Sequence, residues 1–140
     1  MNILKIIIAI VLLIGGVLLL YPFENMVVDA PVEILNCNKV VHPGEMLKYK
    51  FSYHKRFAIP GELQKFIVEI KTGDTVILSS FVGNLSSGKH TIVSEVMIPC
   101  DILISGKAYL LFKYRYEYLG GIKDTVSTYK SEIFEIKRKF

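Results

Sequence analysis

The second half of the chain is written in a period of two. Leu47, Tyr49, Phe51 and Tyr53 fall on one face of an extended segment, and Lys48, Lys50, Ser52 and His54 on the other. Leu110, Phe112, Tyr114, Tyr116 and Tyr118 repeat the arrangement opposite Leu111, Lys113, Arg115 and Glu117. One apolar and one wet face per strand is the pattern of an antiparallel sheet buried on one side. Turn residues separate the runs. His42-Pro43-Gly44-Glu45, Ile59-Pro60-Gly61, Thr72-Gly73-Asp74, the polar stretch from Gly83 to Gly88, Ser105-Gly106, and Gly120-Gly121 followed by Lys123-Asp124 punctuate the chain. These signals predict seven strands, at about 32–35, 46–53, 63–71, 75–82, 89–98, 107–119 and 125–136. The expected fold class is all-β, a seven-stranded immunoglobulin-like antiparallel β-sandwich over residues 31–140.

The first 23 residues follow a different rule. Ile6 to Phe23 carries no charge, and at helical rise those residues span about 27 Å. The pattern predicts one N-terminal transmembrane helix, with 1–23 as an uncleaved anchor touching lipid through 3–23 and 24–30 as a linker. The apolar run is longer than the 7–15 residues of an ordinary signal peptide, and Pro31 directly follows the best small-residue cleavage site, Val28-Asp29-Ala30. Lys5 lies before the run, whereas Glu24, Asp29 and Glu33 come after it, with no Lys or Arg until Lys39. The charge bias places the N-terminus in the cytoplasm and the β domain outside, in a cell envelope or virion membrane.

Composition changes this picture little. The net charge of +4 is concentrated in the β domain, where 16 Lys and Arg stand against 11 Asp and Glu. Those cations are dispersed apart from Lys137-Arg138-Lys139, which reads as a solvated sheet surface and not as a nucleic-acid patch.

Two resemblances follow from short motifs. Leu103-Ile104-Ser105-Gly106-Lys107-Ala108-Tyr109 is similar to the opening of the sixth strand in fibronectin-type domains, with Ser105 in place of a proline. The resemblance implies that Tyr109 is a structural corner whose hydroxyl bonds back to the backbone. Its parity differs from that of Phe112, and a bulge in the strand would reconcile the two. The whole chain also resembles small single-pass membrane proteins of phages and prophages, through Pro43-Gly44-Glu45, Gly106 to Tyr109, and Phe134-Glu135-Ile136. That resemblance implies an anchor and a sandwich ectodomain, and no chemistry.

Candidate chemistry is sparse. Cys37 and Cys100 fall after the first and fifth strands, at one end of the expected sandwich, and an oxidising compartment would permit either a disulfide or two thiols. His42, His54 and His90 have no metal-ligand spacing to a Cys, Asp or Glu. No nucleophile motif and no phosphate-binding glycine loop occurs. The expectation is a protein that is not an enzyme and carries no cofactor, metal or catalytic residue. Tyr114-Arg115-Tyr116-Glu117-Tyr118 reads first as a core stripe and second as a contact surface. The loops around Phe57, Ile59 and Pro60 and around Leu119 and Ile122 are apolar for loops, and make the expected interaction surface for a protein partner or a second copy. Inhibition of an envelope enzyme through residues 57–61 is an alternative, and an envelope hydrolase a more distant one.

Overall fold

The structure, a computed structural model, describes residues 2–20, 26–28, 31–56, 61–83, 87–118 and 123–138; side chains are described there except at 18–20, 81–83, 117–118 and 123–125. A helix, α1 (Ile3–Leu20), precedes ten strands. These are β1 (Met26–Val27), β2 (Glu33–Ile34), β3 (Val40–Val41), β4 (Met46–Lys55), β5 (Gly61–Glu69), β6 (Thr75–Gly83), β7 (Gly88–Met97), β8 (Gly106–Tyr118), β9 (Lys123–Lys130) and β10 (Phe134–Ile136).

The strands form two sheets. In the first, β4 is central, with β7 along one side and β1 and β2 on the other. In the second the order is β6, β5, β8, and β8 is flanked on its far side by β9 and then β10. The period of two decides which faces meet. From Leu47 to Lys55 every second residue of β4 is buried, as is every second residue of β8 from Ala108 to Tyr116. Across the interface the Phe51 and Phe112 rings stack at 5.5 Å and Tyr49 meets Phe112 edge-on at 5.4 Å. Ring pairs of this kind add about 0.5–1.5 kcal/mol each to the burial itself.

The two-sheet, β-rich body is therefore as the alternation predicts, and its strands are divided differently. The expected first strand is shortened to β2 in the first sheet, and a strand not expected, β3, follows it in the second. The last is two, β9 and β10, and β3 pairs in parallel with β10, so the body is not purely antiparallel. β1 falls inside the expected linker: Met26 is buried, and its carbonyl accepts the Tyr129 hydroxyl at 2.7 Å. Constant-type immunoglobulin domains place their fourth strand in the first sheet, whereas here β6 stays beside β5. The tight turn with Gly73 at φ 76° returns the chain directly onto its neighbour.

The transmembrane expectation is overturned. Among the described residues no helix is long and apolar enough to cross a membrane. The physical shortfall is length: the uncharged part of α1, Ile6 to Leu20, rises about 22 Å, against a hydrocarbon core of about 30 Å. With the span goes the basis for a single-pass placement, for lipid contact by 3–23, and for an N-terminus inside and a domain outside. The side chains of α1 are exposed along most of its described length.

Two groups fix where the edge strands break. Between β2 and β3, Asn38 and Lys39 both adopt positive φ (55° and 53°), a conformation disfavoured for residues with a side chain. Lys39 forms an ion pair with Glu132, whose other oxygen accepts the Ile34 N–H at 3.1 Å. The Lys39 ammonium and then the Ile34 N–H hold the Glu132 carboxyl below the usual carboxylate range. Between β9 and β10 lies Ser131, itself buried. Its N–H donates to Leu110 O (2.9 Å), and its Oγ accepts the Leu110 N–H (2.8 Å) and donates to Glu132 O (2.7 Å). Ser131→Ala leaves the buried Leu110 N–H without its acceptor. We expect a loss of about 1–3 kcal/mol in urea unfolding, with Ser131→Thr retaining most of the stability.

Candidate functional site

The registers bring several chain connections to one end of the sandwich. Lys55 ends β4 opposite Gly88, the start of β7. Gly61 starts β5 opposite both Gly83, the end of β6, and Tyr116 of β8. Tyr118 ends β8 opposite Lys123 of β9. Hence the chain leaves and re-enters at this same end around residues 57–60, 84–86 and 119–122. Met26 lies at this end too, paired with Lys55.

Beneath that end lies an aromatic platform with a buried cation. Tyr114 and Tyr116 are buried with ring centroids 5.2 Å apart. Phe51 and Tyr53 stand 5.7 Å apart, and His90 lies 5.6 Å from Tyr53. Burial raises the Tyr53 pKa. Lys55 points inward because it shares the parity of Leu47, and it is only 1% exposed. Burial pushes its ammonium pKa below the ordinary 10.5. Sequence reading stopped the inward stripe at Tyr53 and missed this residue. The available signal was the parity itself, carried one step further. Gly61 is fixed here by contact: a Cβ on it would sit 2.6 Å from Tyr114 Cε2 and 2.9 Å from Arg115 O.

A second feature lies on the side of the sandwich bounded by β7. A cleft of about 190 Å³ is lined by Tyr49, Phe51, Leu63, Lys65, Ile92, Ser94 and Phe112. Lys65 Nζ lies 5.6 Å above the Tyr49 ring. The lining holds no carboxylate and no nucleophile–base pair.

The predicted site residues fare differently. Phe57, Ile59, Pro60, Leu119 and Ile122 lie outside the described residues, and of the 57–61 segment named for enzyme inhibition only Gly61, the first residue of β5, is described. Cys37 and Cys100 are exposed free thiols, so no bridge joins them. Tyr109 is half-buried on the outer face of β8, with Lys130 Nζ 5.2 Å above its ring. Its hydroxyl makes no backbone bond among the described residues. β8 runs in unbroken register from Ala108 to Tyr116, and the bulge lies in β6, where Leu78 is the extra residue opposite the Lys65–Phe66 step. Tyr114 and Tyr116 are core; the Tyr118 side chain lies outside the described set. His42 Nδ1 sits 2.6 Å from Lys137 O, and His90 Nε2 2.6 Å from Ser87 O. No group of three potential metal ligands occurs among the described residues.

No known protein family and no curated protein matches the sequence. Among solved structures, the chain is similar to the sporulation control protein Spo0M from Bacillus subtilis, at 16% identity and a TM-score of 0.44, over 82% of this chain and 50% of that one. It is similar also to a ceramidase complexed with C2, at 10% identity and a TM-score of 0.44, over 83% of this chain and 20% of that one. The chain thus spans half or less of either protein. Similarity this low says nothing about what the chain binds or does.

Two outcomes test the platform. Gly61→Ala forces the Tyr114 ring or the Arg115 backbone to move, and should cost about 1–3 kcal/mol in thermal or urea unfolding. For Lys55 the sign follows from its depressed folded pKa. Between that value and 10.5 the unfolded chain binds more protons, so stability rises with pH through that window. Lys55→Met should therefore flatten this rise, read as the change of the urea midpoint with pH in the parent chain and the variant.

Proposed function

We propose that this chain is a non-enzymatic interaction module that contacts a protein partner through the segments at the tyrosine end of its sandwich. The observation that carries the reading is the convergence of the flanks of 57–60, 84–86 and 119–122 at one end, above a platform of buried rings. Variable-type immunoglobulin domains present three binding loops from one end of a sandwich in this manner. The likeness is one of arrangement alone. Segments so placed can change without disturbing the sheets beneath them, which is why binding residues collect on such connections. Their sequences support contact: Phe57, Ile59, Leu119 and Ile122 are apolar where connections are ordinarily polar.

The test is crosslinking of the full chain in the cells that make it, with mass spectrometry of the captured proteins. Phe57, Ile59 and Ile122 changed together to Ala should remove a recurring partner while the far-ultraviolet circular dichroism and melting temperature stay close to those of the parent. A partner captured equally well by the triple variant would sink the reading.

A further inference from the structure

Three long strands have one side open among the described residues, β6, β7 and β9, and β9 is the shortest of them, with Lys123, Asp124 and Lys130 along its eight residues. Open edges are usually protected by bulges, prolines or charges that repel a second strand. β6 has the bulge at Leu78. β7 has no bulge and no proline: ten residues, Gly88 to Met97, pair with β4 in unbroken register.

The backbone of β7 can be oriented. Ile98 continues its register opposite Glu45, donating its N–H to Glu45 O (2.9 Å) and accepting the Gly44 N–H (2.7 Å). Donor and acceptor directions alternate along a strand. The even-numbered residues of β7 thus face β4, and Lys89, Thr91, Val93, Glu95 and Met97 turn their N–H and C=O groups to the open side. These same five are exposed, Val93 at 66%.

We infer that β7 is a self-complementary edge, and that two copies of this chain pair antiparallel along it about a two-fold axis at Ile92. In that register Lys89 lies opposite the partner copy's Glu95, and Glu95 opposite its Lys89. Thr91 lies opposite Val93, so the outward-turned residues meet outward-turned residues, as a ladder of hydrogen-bonded pairs demands. Two opposite-charge pairs form on the outer face and no like charges meet. Neither Lys89 nor Glu95 has an ion-pair partner among the described residues. The inner face is also matched. β4 faces β8, and β7 faces β5 across the cleft, so the vacant lane beside β7 lies under β6, whose Val76 and Leu78 are half-buried against the core. The partner strand fills that lane, and its Ile92 meets Ile92 at the mouth of the cleft.

This inference is independent of the binding reading above, which concerns another surface. Its test uses the full chain over a concentration series, read by sedimentation equilibrium and by amide hydrogen exchange. The Thr91, Val93 and Glu95 amides should become protected as concentration rises, with a dimer as the associated species. Val93→Pro removes an N–H that β4 does not use, so the fold and melting temperature should be kept while the dimer is lost. Lys89→Glu alone and Glu95→Lys alone should each weaken association roughly tenfold by opposing like charges, and the double swap should restore it. Edge amides that exchange at one rate at every concentration overturn the proposal, as does association that survives Val93→Pro. Single swaps that weaken and a double swap that does not rescue overturn the two-fold at Ile92.

Discussion

The contact between β4 and β8 supports everything else in the sandwich. Each is the central strand of its sheet, and their inward residues meet through Phe112, which stacks on Phe51 and takes the edge of Tyr49. Flanking strands hang on this pair: β1, β2 and β7 on β4, and β5, β9 and β10 on β8. Because side chains alternate strictly, a one-residue slip of either strand would turn its whole apolar set outward. The tyrosine end follows from the same register. Tyr53 and Lys55 are simply the next inward positions of β4, and Tyr114 and Tyr116 those of β8.

The sandwich is closed at its sides by interrupted strands: β2 gives way to β3 in the other sheet, and β9 to β10 along the same neighbour, β8. The first edge strand leaves β4 after Ile34 and rejoins beside β10 at Val40, through two residues of positive φ. The last leaves β8 at Ser131 and returns at Phe134. Glu132 ties the two breaks together, accepting the Ile34 N–H and pairing with Lys39. A conformational cost at one break is thus offset by an ion pair rooted at the other.

What could be read in the sequence was what depends on local periodicity. The long strands, their buried faces and the hairpin at Gly73 are all set by residues close in the chain. Strand β3 and the break between β9 and β10 were not legible, because Val40–Val41 is only two residues long, Thr125–Ile136 looks continuous, and only a tertiary partner decides where each pairs. β1 escaped for the same reason: Met26 and Val27 become a strand only because Lys55 and His54 lie alongside. The outward Tyr109 was placed correctly by parity and assigned a corner by motif, and parity was the better guide. The apolar N-terminal run was read for its hydropathy over Ile6 to Phe23, whereas the described helix reaches Leu20. Of the candidate surface, the sequence supplied the apolar loop residues, and only the registers showed that their flanks share an end.

The parallel pairing of β3 with β10 has a mechanical meaning. The chain runs into β3 from the side that holds the N-terminal segments and out of β10 toward its C-terminal residues, in the same direction along the strand. Once β1 and β2 have left β4, tension between the two ends of the molecule pulls these strands lengthwise past one another. Their bonds are loaded together in shear, not opened one at a time like a zip. The Lys137 N–H bonded to Val41 O at 3.0 Å extends the shared seam by one more link.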